Sequence, residues 1–412
     1  MSEAANSRHI APQPWMIEPT TLTVLGALAA GGFVARFVGG SVRDALLGQP
    51  IGDIDIATPA PPERVIELLE KRGLKVVPTG LAHGTVTAIG GMPPRHFEIT
   101  TLRRDVETYG RRARVAFDAD WAADAARRDF TINAIFLDPD GTIHDPVGGF
   151  ADLRAHRVRF VGNPATRIAE DVLRILRYYR FEARFGIGRG DSEARAACRA
   201  TAGLLPNLSA ERIAQELVKL LETRDPAPAL QMMQEDGVLA VILPEGRRLD
   251  RLRQMTAIER EPDPLRRLAA LIDVDRENAG VLAERLRFSN AWRDRLRGLA
   301  VPWPLDPRGD DRAQRRVLYR LGAERYRDLA LLLSAEGAME RDRLAELLAL
   351  ARGWTPPVFP LAGNDVTALG VAPGPQVGRL LDTVHDWWEA GDFIADRAAC
   401  LAYLQRLVAR GH

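Results

Sequence analysis

The sequence predicts an α+β domain in the first third of the chain, followed by a long region built from helices alone. Three runs rich in β-branched residues, Lys75–Val77, Thr85–Ile89 and His96–Thr100, lie among short helical patterns and glycines. From about Thr166 onward the strand signal disappears, and apolar residues recur at the spacing of amphipathic helices. With 412 residues, 46% of them hydrophobic, the chain has enough apolar material for two or more packed units.

The overall charge excludes one class of protein and leaves another open. Lysine and arginine number 56 against 55 acidic residues, so the net charge of +1 excludes the uniform positive field of a histone-like protein. Residues 151–224 nevertheless contain 14 basic and 9 acidic residues. This local excess fits a polyanionic partner, although arginines that solvate helix faces would produce it too.

Cysteine usage and hydropathy predict where the protein works. Cys198 and Cys400 are too few for a disulfide framework or a thiolate metal cluster. The first 16 residues contain no apolar leader segment, and glycine, proline or threonine interrupts the longest uncharged runs. We therefore expect a cytoplasmic protein that does not span a membrane.

A glycine turn that leads into a short helix predicts a phosphate-binding loop. Gly39 and Gly40 precede Ser41 and Arg43, and the helix is expected to end at Gly48. Glycines let the backbone approach a ligand, and the start of a helix offers unpaired N–H groups and a positive dipole end. Gly40, Ser41 and Arg43 are therefore candidate phosphate ligands, although two glycines before a helix also form ordinary turns.

Two aspartates follow in a short apolar strand. Asp53 and Asp55 lie in the run Ile51–Ala57, where alternation sends both carboxylates to one face and Ile54 and Ile56 to the other. Adjacent carboxylates repel each other unless a cation lies between them, and Mg²⁺ prefers such oxygen ligands. The pair is a candidate catalytic metal site, and a solvated surface turn is the alternative.

Glu98 is a candidate third metal ligand. In the strand His96–Thr100 we expect Phe97 and Ile99 to face the core and Glu98 the opposite side. The carboxylate either lies near the metal or pairs with a nearby arginine, and the sequence leaves both open.

Three ordered motifs resemble those of class II CCA-adding tRNA nucleotidyltransferases and bacterial poly(A) polymerases. They are the glycine turn with its Asp-x-Asp pair, the run Arg127–Ala134 and the run Glu170–Arg177. The resemblance covers roughly Phe37 to Leu243, with a fainter likeness around Pro360–Leu381. It implies an α+β, polymerase-beta-like nucleotidyltransferase head followed by an all-helical neck, body and tail.

The resemblance also implies a division into domains. We place an N-terminal extension at residues 1–20, the catalytic head at 21–150 and the helical neck with its nucleotide-reading helix at 151–225. The RNA-binding body follows at 226–355 and the tRNA-binding tail at 356–412.

Within the head, the resemblance implies roles for the acids and for one further arginine. Asp53 and Asp55 match the pair that binds two catalytic Mg²⁺ ions. Arg128 matches the arginine that holds the triphosphate, and Asp129 matches the residue near the ribose.

Within the neck, the resemblance implies that Asp171 and Arg174 read the incoming base, and that Arg177 and Arg180 bind nucleotide. Helical spacing agrees, because the apolar stripe Val172, Ile175, Leu176 and Tyr179 leaves the four polar residues in a row opposite it. An aspartate can accept from the amino group that cytosine and adenine share. Around the helix axis, Arg180 points in the direction that differs most from that of Asp171. We therefore expect it to reach phosphate or RNA rather than the base.

The implied reaction is the template-independent addition of C, C and A from CTP and ATP to the 3′ end of tRNA, with release of diphosphate. The helical remainder would hold the acceptor and TΨC arms. The segment Gly110–Phe117 resembles the flexible loop of CCA-adding members, which favours CCA over poly(A) addition and disfavours CC addition alone. A poly(A) polymerase and a non-catalytic tRNA-binding protein remain alternatives, and the oligomeric state is not predicted.

Overall fold

The computed structural model describes residues 9–81, 84–109, 112–117 and 120–410. The chain forms two compact units, Met1–Pro244 and Glu245–His412. The predicted finer division into head, neck, body and tail stays a prediction.

The first unit contains a mixed sheet, which confirms the α+β class. Its strands and those of a separate hairpin are β1 (Arg36–Val38), β2 (Ile54–Thr58), β3 (Lys75–Gly80), β4 (Thr85–Gly90), β5 (Arg95–Thr101), β6 (Arg103–Tyr109), β7 (Arg112–Phe117), β8 (Phe136–Leu137) and β9 (Ile143–His144). Among the described residues the main sheet has seven strands in the order β3-β4-β5-β2-β1-β8-β9. Within the described part of this sheet, β2 and β5 pair in parallel and the other neighbours are antiparallel.

Helices flank this sheet and follow it. They are α1 (Pro14–Ile17), α2 (Pro19–Ala30), α3 (Gly39–Leu46), α4 (Pro62–Glu70), α5 (Trp121–Ala126), α6 (Gly149–Arg154), α7 (Pro164–Glu170), α8 (Arg174–Phe185), α9 (Ser192–Thr201), α10 (Ala210–Leu221), α11 (Ala227–Glu235) and α12 (Val238–Ile242). Segments Thr131–Asn133 and Ala202–Asn207 are 3₁₀ helices.

The parallel pair β2–β5 positions two of the predicted acids. Asp55 lies directly beside Glu98 in the register. Ile54 and Ile56 on β2 are fully buried, as are Phe97 and Ile99 on β5, which confirms the predicted alternation. Asp53 lies just outside β2, because ladder pairing with β5 begins at Ile54.

The segment that resembles a flexible loop forms part of a hairpin where it is described. Residues Arg112–Phe117 are strand β7, which pairs antiparallel with β6 in a sheet of its own. Gly110 and Arg111 lie outside the described residues.

The predicted row on the nucleotide-reading helix is wrong at its first member. Helix α7 begins at Pro164 after an Asn163 cap and ends at Glu170, and α8 begins only at Arg174. Asp171 lies between them with extended backbone angles, φ −150° and ψ 108°. Its side chain accepts a hydrogen bond from the Leu173 N–H at 3.1 Å, and such a local bond competes with helix continuation.

In the described part of the second unit, the regular secondary structure elements are helices. Its helices are α13 (Leu249–Ile258), α14 (Pro264–Leu271), α15 (Arg276–Arg285), α16 (Asn290–Leu299), α17 (Asp311–Leu321), α18 (Ala323–Ala335), α19 (Arg341–Gly353), α20 (Gly363–Thr367), α21 (Pro375–Ala390) and α22 (Arg397–Ala409). The buried Arg266 pairs with Glu259 and Asp328, which satisfies charges that would otherwise be costly to bury. Over the described residues, none of the helices is long and apolar enough to span a membrane.

Candidate nucleotide-binding site

The glycine turn contacts the second aspartate directly. The Gly40 N–H donates to Asp55 Oδ2 at 3.1 Å, and the Ser41 hydroxyl donates to the Val38 carbonyl at 3.0 Å. Gly39 has a φ of +70°, and a Cβ atom there would lie 2.9 Å from Asp55 Oδ2. The close approach of turn and strand therefore depends on glycine at this position.

Asp55 lies in an environment that disfavours its charge. Burial and the neighbouring Glu98 raise the pKa of Asp55 to about 6, although the Gly40 N–H, Arg128 and Arg43 act in the opposite direction. A divalent cation would offset both the burial of this carboxylate and its repulsion from Glu98. The oxygen donors of Asp55 and Glu98 are those that Mg²⁺ prefers, so these two residues fit the ion.

Asp53 is more exposed than Asp55. Its side chain is 66% exposed, and Asp53 Oδ1 lies 4.0 Å from His96 Nδ1. In the described part of the chain, no three side chains of the His, Cys, Asp and Glu types are grouped closely enough to hold a metal. The structure therefore brings Asp55 and Glu98 together but does not assemble Asp53 with them as a three-residue ligand set, and the metal assignment stays a prediction.

Arg43 is a buried cation at the base of the turn. Its guanidinium donates to Asp44 Oδ1 at 2.9 Å and to Asn133 Oδ1 at 2.7 Å, and it lies 4.2 Å from the Phe185 ring centroid. Burial lowers the pKa of Arg43, and Asp44 partly compensates. The side chain is thereby fixed, as a phosphate ligand must be.

Arg128 is held by a buried acid. Asp124 is 1% exposed and accepts hydrogen bonds from Arg127 and from Arg128. Burial alone would raise the pKa of Asp124, but the two guanidinium groups lower it. Asp124 therefore acts as a fixed anchor for both arginines of the second motif.

Asp129 forms an ion pair with Arg177 of α8. The carboxylate accepts from Arg177 Nε at 2.8 Å, from the Phe130 N–H at 2.8 Å and from Asn133 Nδ2 at 3.0 Å. Burial would raise the pKa of Asp129, but Arg177 and these hydrogen bonds lower it to about 2. Asp129 is consequently ionised at neutral pH and fixes Arg177 beside the turn.

The two candidate base-reading residues have different partners. Asp171 accepts from Arg212 Nη2 at 2.8 and 3.1 Å, one distance to each carboxylate oxygen. Arg174 donates to Glu170 Oε2 at 2.6 Å and to the carbonyls of Arg167 and Arg127 at 3.0 and 3.3 Å. Both side chains are therefore held by their surroundings, and each by its own set of groups.

Most of the predicted nucleotide-binding residues surround one cavity of about 470 Å³. The predicted residues that line it are Gly40, Arg43, Arg128, Asp129, Asp171, Arg174 and Arg177. Six arginines and two aspartates line this cavity, so it offers many guanidinium N–H donors, which suit a polyphosphate. Ser41 and Asp55 adjoin its glycine edge, because the Gly40 N–H donates to Asp55 and the Asp55 N–H donates to the Ser41 hydroxyl at 3.4 Å.

Arg180 does not line the cavity. Its Nε donates to Glu216 Oε2 of α10 at 2.5 Å. The assignment of Arg180 to the nucleotide stays a prediction, and the structure gives this side chain a helix-packing contact.

Sequence reasoning assigned no individual role to the other residues of the cavity wall, which are Gly39, Arg127, Asn133, Leu173, Phe181 and Arg212. Asn133 joins three of the predicted residues, because it accepts from Arg43 and Arg128 and donates to Asp129. Its position within the second motif was the one signal that could have pointed to it. No spacing rule identifies a residue that connects others by hydrogen bonds. Arg212 is 41 positions from its partner Asp171, so only the folded chain brings them together.

Two family models match this part of the chain and define its class. The model described as the poly A polymerase head domain matches residues 35–159. The one described as the probable RNA and SrmB-binding site of polymerase A matches residues 191–249. The sheet, the glycine turn and the arginine-lined cavity lie within or beside these ranges, and they are the parts of a nucleotidyltransferase.

Full-length relatives identify the family. The chain is 35% identical to CCA tRNA nucleotidyltransferase 1, mitochondrial, of Danio rerio over 383 residues, which cover 91% of this chain and 88% of that protein. It is 33% identical to the CCA-adding enzyme of Lacticaseibacillus paracasei, with 90% and 92% covered. The structure of the Bacillus stearothermophilus CCA-adding enzyme in complex with CTP superposes with a TM-score of 0.80 at 30% identity, covering 97% of this chain and 99% of that one. The chain belongs to the CCA-adding tRNA nucleotidyltransferase family, which confirms the predicted resemblance, fold class and enzyme class.

Proposed function

We propose that the protein adds C, C and A to the 3′ end of tRNA, using CTP and ATP and releasing diphosphate. The observation that carries this proposal is the arginine-lined cavity beside Asp55, with Asp171 and Arg174 on its wall. The names of the full-length relatives support the same reaction.

The side chains around the cavity suit a nucleoside triphosphate. Arg43 and Arg128 meet the phosphates from the side of the glycine turn, and Arg177 approaches from α8. Each of the three is fixed by an acid or an amide, so little side-chain reorganisation is needed when charge develops on the leaving group.

Phosphoryl transfer then requires no covalent intermediate. The tRNA 3′-hydroxyl attacks the α-phosphorus in line and loses its proton to water. A new P–O bond forms, and the bond between the α-phosphorus and the oxygen that bridges to the β-phosphate breaks, so diphosphate leaves. Asp53, Asp55 and Glu98 are the residues that would hold Mg²⁺. When bound, two such ions lower the pKa of the attacking hydroxyl and offset the charge on the diphosphate.

Base selection is assigned to Asp171 and Arg174. A carboxylate has about four acceptor positions, and the Asp171 carboxylate receives hydrogen bonds from only Leu173 and Arg212 among the described residues. Capacity therefore remains for the amino group of cytosine or adenine. Uracil and guanine present a carbonyl oxygen instead, which a carboxylate repels.

A nucleotide-addition assay tests the proposal. Purified protein is given a tRNA that lacks CCA, with CTP, ATP or both, and the product lengths are measured. We expect two additions from CTP alone and three from the mixture. A long A-tail from ATP alone would favour the poly(A) alternative, which the name of the head-domain model keeps open.

A cytoplasmic location stays a prediction, since the named relatives include mitochondrial proteins.

A further inference from the structure

Arg212 is outside the three motifs, yet it is the side chain that holds Asp171. Its Nη2 lies between the two carboxylate oxygens, at 3.1 Å from Oδ1 and 2.8 Å from Oδ2. Asp171 is only partly buried, with 33% of its side chain exposed, and it lies outside a helix. Among the described residues, only the Leu173 N–H would hold this carboxylate without Arg212, through Oδ1 alone, and the terminal torsion of the side chain is soft.

Helix α10 fixes the backbone of Arg212. The residue lies in the first turn of α10, where its backbone N–H donates to the carbonyl of the cap residue Ser209 at 3.1 Å. Glu216, one turn further along α10, is 5% exposed and pairs with Arg180 of α8. Residues four apart lie on one helix face, so a single face of α10 provides both contacts to the region of α7 and α8.

The contact is specific to one of the two candidate base-reading residues. Arg174 is bound by Glu170 and by two carbonyl groups, and no bond joins Arg174 to Arg212 among the described residues. A loss of Arg212 would therefore act on the acceptor at Asp171 and leave the donor at Arg174 in its place.

We propose that Arg212 is a positioning residue for base selection, which keeps the Asp171 carboxylate turned as an acceptor toward the cavity. This inference rests on the proposed function, since it requires Asp171 to read the base. Arg212 acts through Asp171 and is not assigned a contact with the reacting atoms.

Discrimination between CTP and UTP is the direct readout, because these nucleotides differ where Asp171 would act, in an amino group against a carbonyl. The ratio of kcat/KM for CTP to that for UTP is measured on a tRNA that lacks CCA. We expect Arg212→Met to lower this ratio by about tenfold or more, mainly through the KM for CTP. Arg212→Lys keeps a charge without the planar fork and should restore part of the ratio.

Lys219→Met is the matched control. It removes a charge from an exposed position of the same helix α10 and should leave the ratio at the wild-type value. Circular dichroism and thermal unfolding of each variant establish that the fold is kept, and Arg212→Lys supplies a folded variant if Arg212→Met does not fold.

A double-mutant cycle with Asp171→Asn separates the inference from the proposed function. If Arg212 acts through Asp171, the double variant discriminates no worse than Asp171→Asn alone. Additive losses, or an unchanged ratio in Arg212→Met while Asp171→Asn is impaired, would overturn the role of Arg212 alone. Unchanged discrimination in Asp171→Asn would overturn the base-reading assignment itself, and the inference with it.

Discussion

At the scale of single residues, Gly39 is a position where the backbone and the neighbouring Asp55 leave little room for a side chain. Its φ of +70° is one that L side chains rarely adopt, and an added Cβ would lie 2.9 Å from Asp55 Oδ2. We expect Gly39→Ala to lower the free energy of unfolding by about 1–2 kcal/mol, measured by urea denaturation. Gly40→Ala is the control, because a Cβ there would make ordinary contacts at 3.6 Å. Equal losses in the two variants would contradict this interpretation.

Glu182 gives the stability of the protein a dependence on pH. Burial raises the pKa of Glu182 to about 7, and the side chain is 4% exposed in the folded chain. A raised folded-state pKa means that the stabilising contribution is complete below the unfolded value near 4.5 and is lost as the pH rises through 7.

We therefore expect Glu182→Gln to gain stability relative to wild type between pH 5 and pH 8, by on the order of 2 kcal/mol. The measurement is urea unfolding of both proteins at each pH. Glu193→Gln removes an exposed carboxylate on the neighbouring helix α9 and controls for the change of net charge. A difference between wild type and Glu182→Gln that is constant across this range would exclude Glu182 as the titrating group.

At the scale of elements, the contact between α8 and α10 accounts for Arg180. The Arg180–Glu216 pair is largely buried, with side chains 14% and 6% exposed. We expect Arg180→Met to destabilise the protein by about 3 kcal/mol, because it leaves a buried carboxylate without its partner. The KM for CTP should rise less in Arg180→Met than in Arg177→Met, since Arg177 lines the cavity. Steady-state kinetics and urea unfolding measure both quantities, and a larger rise in Arg180→Met would instead support its predicted role at the nucleotide.

Sequence patterns correctly predicted the elements that are determined by residues close together in the chain. The alternation around Asp55 and Glu98 was correct because one face of each strand is completely apolar, and strands β3, β4 and β5 lie where the β-branched runs are. The pattern was wrong at Asp171, where a side-chain bond to Leu173 ends the helical spacing. Asn133 and Arg212 could not be predicted from spacing, since their roles depend on partners that only the tertiary fold brings close.

At the scale of the whole molecule, a net charge of +1 conceals an uneven distribution. The cavity wall alone carries six arginines, and residues 151–224 contain 14 basic residues against 9 acidic ones. If this region contacts tRNA phosphates, the affinity for tRNA should fall on the order of a hundredfold between about 50 and 200 mM salt. Filter binding over that range measures the slope, and a flat response would show that phosphate contacts contribute little.

The most direct test of the central claim, that Asp55 beside the glycine turn supports nucleotidyl transfer, is single-turnover addition of C to a tRNA lacking CCA by wild type and Asp55→Ala. We expect the variant to remain folded and the rate of addition to fall by a factor on the order of a thousand or more. Addition by Asp55→Ala at the wild-type rate would contradict the claim.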